Sequence, residues 1–464
     1  MKVLFLLILC LLTSCTWTRV CPGTDLDYCP CPVWKSFLSC KEAFLLHPQW
    51  WEEYQDPCLN QLEMQAIAHN FDLHIAAARV LQARALVGVA ISNRLPHLGL
   101  DFSYKRESAF VTLQDYGLGS KNVRTHEQQA SLPLDICYEI DFWGKYRHLD
   151  AAARERFFAS QYNRDALFIS LTTEIALLYF NLRTMDDEIS YLQEAVQVRV
   201  DYRAIHAARL HCGLESELDL TRAKLEVALA ESELEDVMRL RSQAENALAL
   251  LLGQSACDFS LEPGHLPCRS LYPSPGLPSS LVARRPDIQQ KMHLALGALE
   301  DIGVAKADFF PQFSLTGSVG SVCPSFASLL SWQSRFWALA VNAFQVIFDG
   351  GRLKSQLALR KAEYMETILD YQKQITVAFK EVEDALSELH YRQQQVDTLE
   401  QAVLFSQDTS LLAHQQYDSG LINYLLVADA EKTQLNTRRM FIRLNGALHS
   451  ASLQLIKALG GCPY

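Results

Sequence analysis

The chain has 464 residues, with 42 Lys plus Arg against 53 Asp plus Glu and a formal net charge of -11. A composition of 49% hydrophobic and 20% charged residues, with 20 Gly and 16 Pro, excludes a disordered or collagen-like chain. An acidic balance with no clustered Lys/Arg stripe argues against nucleic acid as a partner, and after residue 15 no run approaches the ~20 apolar residues of a spanning helix.

The chain opens with Met1-Lys2, an uncharged apolar run from Val3 to Leu12, and Thr13-Ser14-Cys15. One cation, a short apolar stretch and a small-residue stop read as a signal peptide over 1–14. Leu12-Thr13-Ser14-Cys15 also resembles the lipobox of bacterial lipoproteins, which makes Cys15 a candidate lipidation site. The alternative is ordinary cleavage near Ser14 with Cys15 a plain thiol. Two acyl chains give the stable anchoring that one does not.

Thirteen cysteines suit an oxidising compartment. Cys21, Cys29, Cys31, Cys40 and Cys58 crowd one stretch; the Cys29-Pro30-Cys31 spacing is wrong for a zinc knuckle, so disulfides are favoured there over metal. Cys257 and Cys268 flank a Pro/Gly loop and make a plausible local pair.

The chain then repeats itself. Trp143-Gly144-Lys145 matches Gly350-Gly351-Arg352, and the same offset of 207 (144 to 351) carries Gly213-Leu214 onto Gly420-Leu421 and Leu252-Gly253 onto Leu459-Gly460. Upstream, Val87-Gly88-Val89-Ala90 and Pro96 match Ile302-Gly303-Val304-Ala305 and Pro311 at an offset of 215 (96 to 311), so the eight-residue difference is expected in a loop between Pro96 and Gly144.

In chain order the spacing predicts a helix over 60–94, ending near Pro96 as helices do before proline. Two alternating strands follow. Leu98, Leu100, Phe102 and Tyr104 share a face in the first, and Leu132, Leu134, Ile136, Tyr138, Ile140 and Phe142 in the second, opposite Pro133, Asp135, Cys137, Glu139 and Asp141. Between Gly144 and Gly213 lie 68 residues with neither Gly nor Pro, a helix of roughly 100 Å. A shorter helix spans 214–252, and the Pro-rich segment 254–285 is a linker. The second repeat predicts a helix over 286–309, strands over 313–320 and 337–348, the last with a blurred polar face, a second long helix between Gly351 and Gly420, and a shorter helix over 421–459. The organisation is a signal peptide 1–14, a lipid-anchored Cys-rich segment 15–47, repeat one 48–253, linker 254–285 and repeat two 286–461. The fold class is mostly α with a small β part.

Strands with one apolar face and one acidic or small-polar face suit a membrane barrel, lipid outside and water inside. Four strands cannot close, and open edges do not survive in hydrocarbon, so several protomers must share one barrel. A soluble secreted coiled-coil protein with a small strand sandwich is the alternative.

Several segments then carry a resemblance: Trp50-Trp51 with Asp56-Pro57, Ala76 to Arg84, Tyr138 to Gly144, Gly276-Leu277-Pro278 with Arg284-Arg285-Pro286-Asp287-Ile288, Phe348 to Arg352, and Lys457 to Gly461. Over residues 48–461 the chain resembles the TolC-like outer-membrane efflux factors, lipoprotein branch, paired with resistance-nodulation-division pumps. The resemblance implies a homotrimer in the outer membrane lipid, with a 12-stranded barrel and a periplasmic α-helical tunnel. It implies a passive exit duct for small molecules, opened when a periplasmic adaptor and an inner-membrane pump dock. By position Asp429 supplies one carboxylate per protomer to a gate ring and Leu425, one turn earlier, an apolar constriction. Asp219 and Tyr417 match a helix-latching pair. The chain departs from relatives in having Leu426 where some carry a second aspartate and Ile422 where some latches use arginine. A type I protein-secretion duct and a non-conducting structural envelope lipoprotein are the competing functions.

No catalytic arrangement is legible: there is no phosphate-binding Gly-rich loop, no His-Glu-x-x-His and no Gly-x-Ser-x-Gly. No enzyme activity, metal or cofactor is expected. His206 and His211, five apart, read as surface residues.

Overall fold

The structure, a computed structural model, describes residues 49–115, 119–213, 215–267, 271–273 and 278–461. The predicted signal peptide, Cys15, the Cys-rich segment to residue 47, and Cys268 with its expected pairing to Cys257 lie outside the described residues.

The duplication is visible element by element. Helix α1 spans Pro57–His69 and α2 spans Phe71–Ser92; strands β1 (His97–Leu100), β2 (Ser103–Asp115) and β3 (Gly119–Ile140) follow, then α3 (Lys145–His211) and α4 (Glu217–Leu251). The second repeat has the short α5 (Pro278–Arg284), α6 (Pro286–Ala307), β4 (Gln312–Cys323), β5 (Arg335–Phe344), α7 (Arg352–Asp418) and α8 (Tyr424–Ala458). The long helices α3 and α7 have 67 residues each, α4 and α8 have 35 each, and α2 and α6 have 22 each. Three glycine pairs punctuate them: Gly144 and Gly351, Gly213 and Gly420, Gly253 and Gly460 all lie at φ between 70° and 90°. A side chain strains that conformation and glycine does not, which is why these landmarks keep register.

The helix expected over 60–94 is two helices. Asn70 breaks it: its backbone turns extended at ψ 127°, its Oδ1 accepts from the Leu73 N–H at 3.0 Å and its Nδ2 donates to the Leu251 carbonyl at 2.8 Å. No Gly or Pro marks the break, so the pattern could not show it. At the other end, Asp56 caps α1 through the Cys58 and Leu59 amides and accepts the Tyr179 hydroxyl.

The chain divides into two units. One comprises Val80–Ala159 and Lys291–Tyr371 and contains the sheet. Its strands run in the order β1-β3-β4-β5, with β2 continuing the first strand alongside β3. The first strand is interrupted at Asp101-Phe102, opposite Leu132-Pro133, where proline offers no ladder donor. Cross-strand register carries the faces across the sheet. Leu98, Ile136, Gly317 and Leu339 lie in one row and Leu100, Leu134, Val319 and Trp337 in the next, while Gly99, Asp135, Ser318 and Ala338 and then His97, Cys137, Thr316 and Ala340 form rows of the other face. The apolar face is bare, with Trp337, Leu339 and Val341 all more than 65% exposed.

Two strand expectations need correction. The second strand, expected over 132–142, begins at Gly119, because backbone pairing with β2 sustains it through a stretch of sequence that has no apolar–polar alternation. The extra residues of repeat one therefore lengthen this hairpin and do not sit in a loop: 109–127 stand where 324–334 stand in repeat two. The fourth strand ends at Phe344, so Val346 and Phe348, which blurred its pattern, are not part of it. Below the sheet, Trp143 donates Nε1–H to the Pro311 carbonyl at 2.7 Å and stacks on Phe310 at 4.7 Å.

The second unit comprises, among the described residues, 49–79, Ser160–Gln290 and 372–461. Its core gathers Trp50, Trp51, Leu59, Leu62, Ile175, Tyr179, Phe180, Leu248, Leu252, Leu453 and Ile456. Arg285, nearly buried, is bonded to Asp287, to the Ala458 carbonyl and to Glu381, which explains the Arg-Pro-Asp motif as a tie between the linker and two helices. Burial pulls the Asp287 carboxyl up, yet the Arg285 and Gln374 donors outweigh it and hold it below its ordinary range.

Glu63 is the anomaly of this core. It is fully buried on α1, neither carboxylate oxygen has a hydrogen-bond partner, and burial pushes its pKa well above the ordinary value. An acid whose folded pKa is raised costs stability progressively as pH rises above its unfolded value. Glu63→Leu is therefore expected to raise the melting temperature of the detergent-purified protein, by the equivalent of about 1–3 kcal/mol at pH 8 and by less at pH 5. Thermal scans at both pH values check it, and a lower melting temperature at pH 8 refutes it.

Candidate functional site

Both helical hairpin turns lie in the second unit. In the second turn, Gly420 donates its N–H to the Tyr417 carbonyl and Leu421 donates to the Gln416 carbonyl, both at 2.9 Å. This nested pair satisfies the last carbonyls of α7 and needs the left-handed glycine. Asn423 then caps α8 through the Leu426 amide at 3.3 Å. In the first turn Gly213 donates to the Leu210 carbonyl at 2.9 Å, and Ser216 caps α4.

Leu425 and Asp429 are both exposed and one turn apart on α8. They face away from Tyr424, Val427 and Ala430, the residues buried within the protomer. Asp219 sits in the first turn of α4. Its amide donates to Ser216 Oγ at 3.3 Å and its carboxylate accepts from the same hydroxyl at 2.6 Å, a reciprocal cap. Tyr417 is not joined to it; its hydroxyl donates to Glu215 Oε1 at 2.5 Å.

Glu215 is the centre of the cluster. His206 Nδ1 lies 2.6 Å from Oε2, and Arg209 reaches Oε1 at 3.3 Å while also donating to the Tyr417 hydroxyl at 2.8 Å. The Tyr424 ring stands edge-on to the His206 ring with centroids 4.0 Å apart. His206, expected at the surface, is instead buried at 1% exposure, because the turn folds Glu215 back over the last turns of α3; His211 is exposed as expected. Burial pulls the Glu215 carboxyl up, but hydrogen bonds from Tyr417, His206 and Arg209 outweigh it and hold it below the usual range. Burial, then the Glu215 carboxylate, pushes Tyr417 up to about 12.

A second group lies nearby. The His414 ring of α7 stacks on Tyr202 of α3 at 5.1 Å, and its Nε2 pairs with Glu431 of α8 at 2.9 Å. Burial raises the Glu431 carboxyl against the pull of His414 and Arg199. Neither group was anticipated, since their members lie more than 200 positions apart in the pairs Arg209–Tyr417 and Tyr202–His414. The only available signal was the internal alignment, which sets charged Glu215 opposite apolar Ile422. Among the described residues no three His, Cys, Asp or Glu side chains are grouped to hold a metal.

The glycines make separable predictions. A Cβ on Gly420 meets nothing within 4 Å, so Gly420→Ala costs only left-handed strain, about 1 kcal/mol. A Cβ on Gly253 stands 2.4 Å from the His69 carbonyl oxygen, so Gly253→Ala adds a backbone clash to the same strain and lowers the melting temperature further. Equal melting temperatures for the two variants contradict this reading.

Comparison with known proteins places this geometry. The family model described as "Outer membrane efflux protein" matches residues 62–254 and 277–461. The chain is 28% identical to the probable outer membrane lipoprotein SilC of Salmonella typhimurium over 415 residues, 89% of this chain and 87% of SilC. It is 30% identical to the solvent efflux pump outer membrane protein SrpC of Pseudomonas putida, again over 89% of this chain and 87% of the relative. Among solved structures, the outer membrane protein VceC from Vibrio cholerae matches with a TM-score of 0.82 at 29% identity, over 90% of this chain and 100% of VceC.

Proposed function

Because the chain belongs to the outer membrane efflux protein family, we propose that it is the outer-membrane exit duct of a tripartite efflux system. It passes small molecules without chemistry of its own, in keeping with the solvent efflux of SrpC. The observation that carries this reading is the sheet: one bare apolar face, one face of small or polar residues (Asp, Ser, Thr, Ala, Gly, His97 and Cys137), and two outer strands with no ladder partner on their far edges among the described residues.

An apolar outer face is stable against lipid, and a small polar inner face leaves room for water. Unpaired edges in hydrocarbon cost several kcal/mol per group, and neighbouring protomers remove that cost by closing the sheet. The family resemblance implies a homotrimer, in which three copies of four strands give a wall of twelve. Gly317 and Gly320 thin the wall: a Cβ on either would stand within 3 Å of Ile136 or of the Leu132 carbonyl. The long helices carry the lumen away from the membrane, toward a periplasmic adaptor and an inner-membrane resistance-nodulation-division pump that supplies the energy. Cys15 is the lipid anchor in this scheme, repeat one (48–253) and repeat two (286–461) are its halves, and 254–285 is its linker.

The gate in this reading is the turn of the second hairpin. Leu425 narrows the lumen and three Asp429 carboxylates ring it, repelling anions and drawing cations. Planar-bilayer conductance of the purified oligomer tests this. The expected wild-type result is a small, cation-preferring conductance, and Asp429→Ala is expected to raise it and weaken the cation preference. Conductance insensitive to Asp429 moves the gate elsewhere, and folded oligomers that never conduct refute the duct. Cys137, exposed on the polar face, tests which face is the lumen. A charged thiol reagent is expected to lower the conductance of the wild type and to lose that effect in Cys137→Ser.

A further inference from the structure

We infer that Glu215 is the positioning residue that latches the two hairpins of one protomer together at the turns, with His206 and Arg209 holding its carboxylate in place. The inference rests on the gated-duct reading above and assigns the latch to residues of this chain outside the Asp219–Tyr417 pair that family resemblance implies.

The geometry singles out one acceptor. The second hairpin offers two aromatic side chains that bracket its turn, Tyr417 before Gly420 and Tyr424 after it. Tyr417 donates to Glu215 Oε1 at 2.5 Å, and Tyr424 packs on His206, whose Nδ1 lies 2.6 Å from Glu215 Oε2. Arg209 closes the ring by bonding both the Glu215 carboxylate and the Tyr417 hydroxyl. One carboxylate therefore satisfies three donors from three places in the chain; of these three bonds the one from Tyr417 crosses between hairpins, and Arg209 adds a second crossing through its own bond to the Tyr417 hydroxyl. Hydrogen bonds to an ionised group are roughly twice as strong as neutral ones. Asp219, by contrast, accepts from the Ser216 hydroxyl that caps its own helix.

The groups bonded to Glu215 are donors: His206 and Arg209 from α3, and Tyr417 from α7. These hold its carboxyl below the usual range in spite of burial. A depressed folded pKa contributes stability above the unfolded value and loses it only as pH falls through the lowered one. The latch therefore survives acidification through the ordinary glutamate range, an advantage for a turn exposed to periplasmic pH.

The test compares Glu215→Gln, Glu215→Asp, Tyr417→Phe and Asp219→Asn in planar bilayers, with hydrogen–deuterium exchange of segments 202–213 and 415–431 on the same oligomers. Glu215→Gln and Tyr417→Phe are expected to raise the open probability about tenfold, the change that ~1.4 kcal/mol of lost closure produces. Both are expected to speed exchange at the two turns far more than elsewhere, with only a small drop in the melting temperature of the oligomer. Glu215→Asp restores part of the closure, and Asp219→Asn leaves it near the wild-type level. An opening effect confined to Asp219→Asn overturns the assignment. So does unchanged exchange in both Glu215→Gln and Tyr417→Phe, whichever of the two folds better. If no protein conducts, the duct reading fails, and the exchange measurement still decides the latch on its own.

Discussion

Unpaired backbone at the sheet's two outer edges is the constraint on which the rest of this molecule depends. Within the described residues β1 with β2 and β5 each pair on one side only. Water can satisfy such an edge; hydrocarbon cannot. The exposed apolar side chains of Trp337, Leu339 and Val341 suit hydrocarbon, and the proposed assembly completes the sheet with strands of neighbouring protomers. Everything proposed about assembly follows from that mismatch. A strand set that is apolar on one side and open at both ends has a stable place only as part of a closed wall.

Helix length answers to a different rule. Each 67-residue helix lacks any internal break and is terminated by a left-handed glycine whose N–H bonds back into the last turn. Within a folded protein most helical stability comes from packing along a face and less from propensity. The apolar core around Trp50, Trp51, Tyr179 and Phe180 supplies that packing in the second unit. Where the core tolerates an unpaired Glu63, it carries a penalty that a leucine at the same position would not.

The helices of 67, 35 and 22 residues pair in length between the two repeats, which differ where function is proposed. Position 215 in the first turn is a glutamate; its counterpart at 422 is isoleucine. The first turn can accept hydrogen bonds and the second can donate them through Tyr417, so the hairpins are complementary and not interchangeable. Duplication supplied two equal hairpins, and divergence at a few turn residues made one of them hold the other. The same asymmetry places Asp429 on a free face of α8, unencumbered by the network that engages Glu215.

Much of this was legible in residue order. The 207-residue register and the glycines that set it foretold the two long helices and the two shorter ones after them to within three residues at each end, because a side chain strains a backbone at positive φ and glycine does not. Alternation foretold the two faces of β3 and β4, because side chains in a strand point to opposite sides by geometry alone. What residue order could not show were the effects of partners distant in the chain. The strand from Gly119 exists because β2 supplies its ladder, and the break at Asn70 exists because Leu251 supplies a carbonyl. His206 is buried because Glu215 returns over it, and Tyr417 finds that glutamate 202 positions away. Local periodicity encodes which face a residue takes on its own element; which hydrogen-bond partner meets that face is decided only when the chain has folded back on itself.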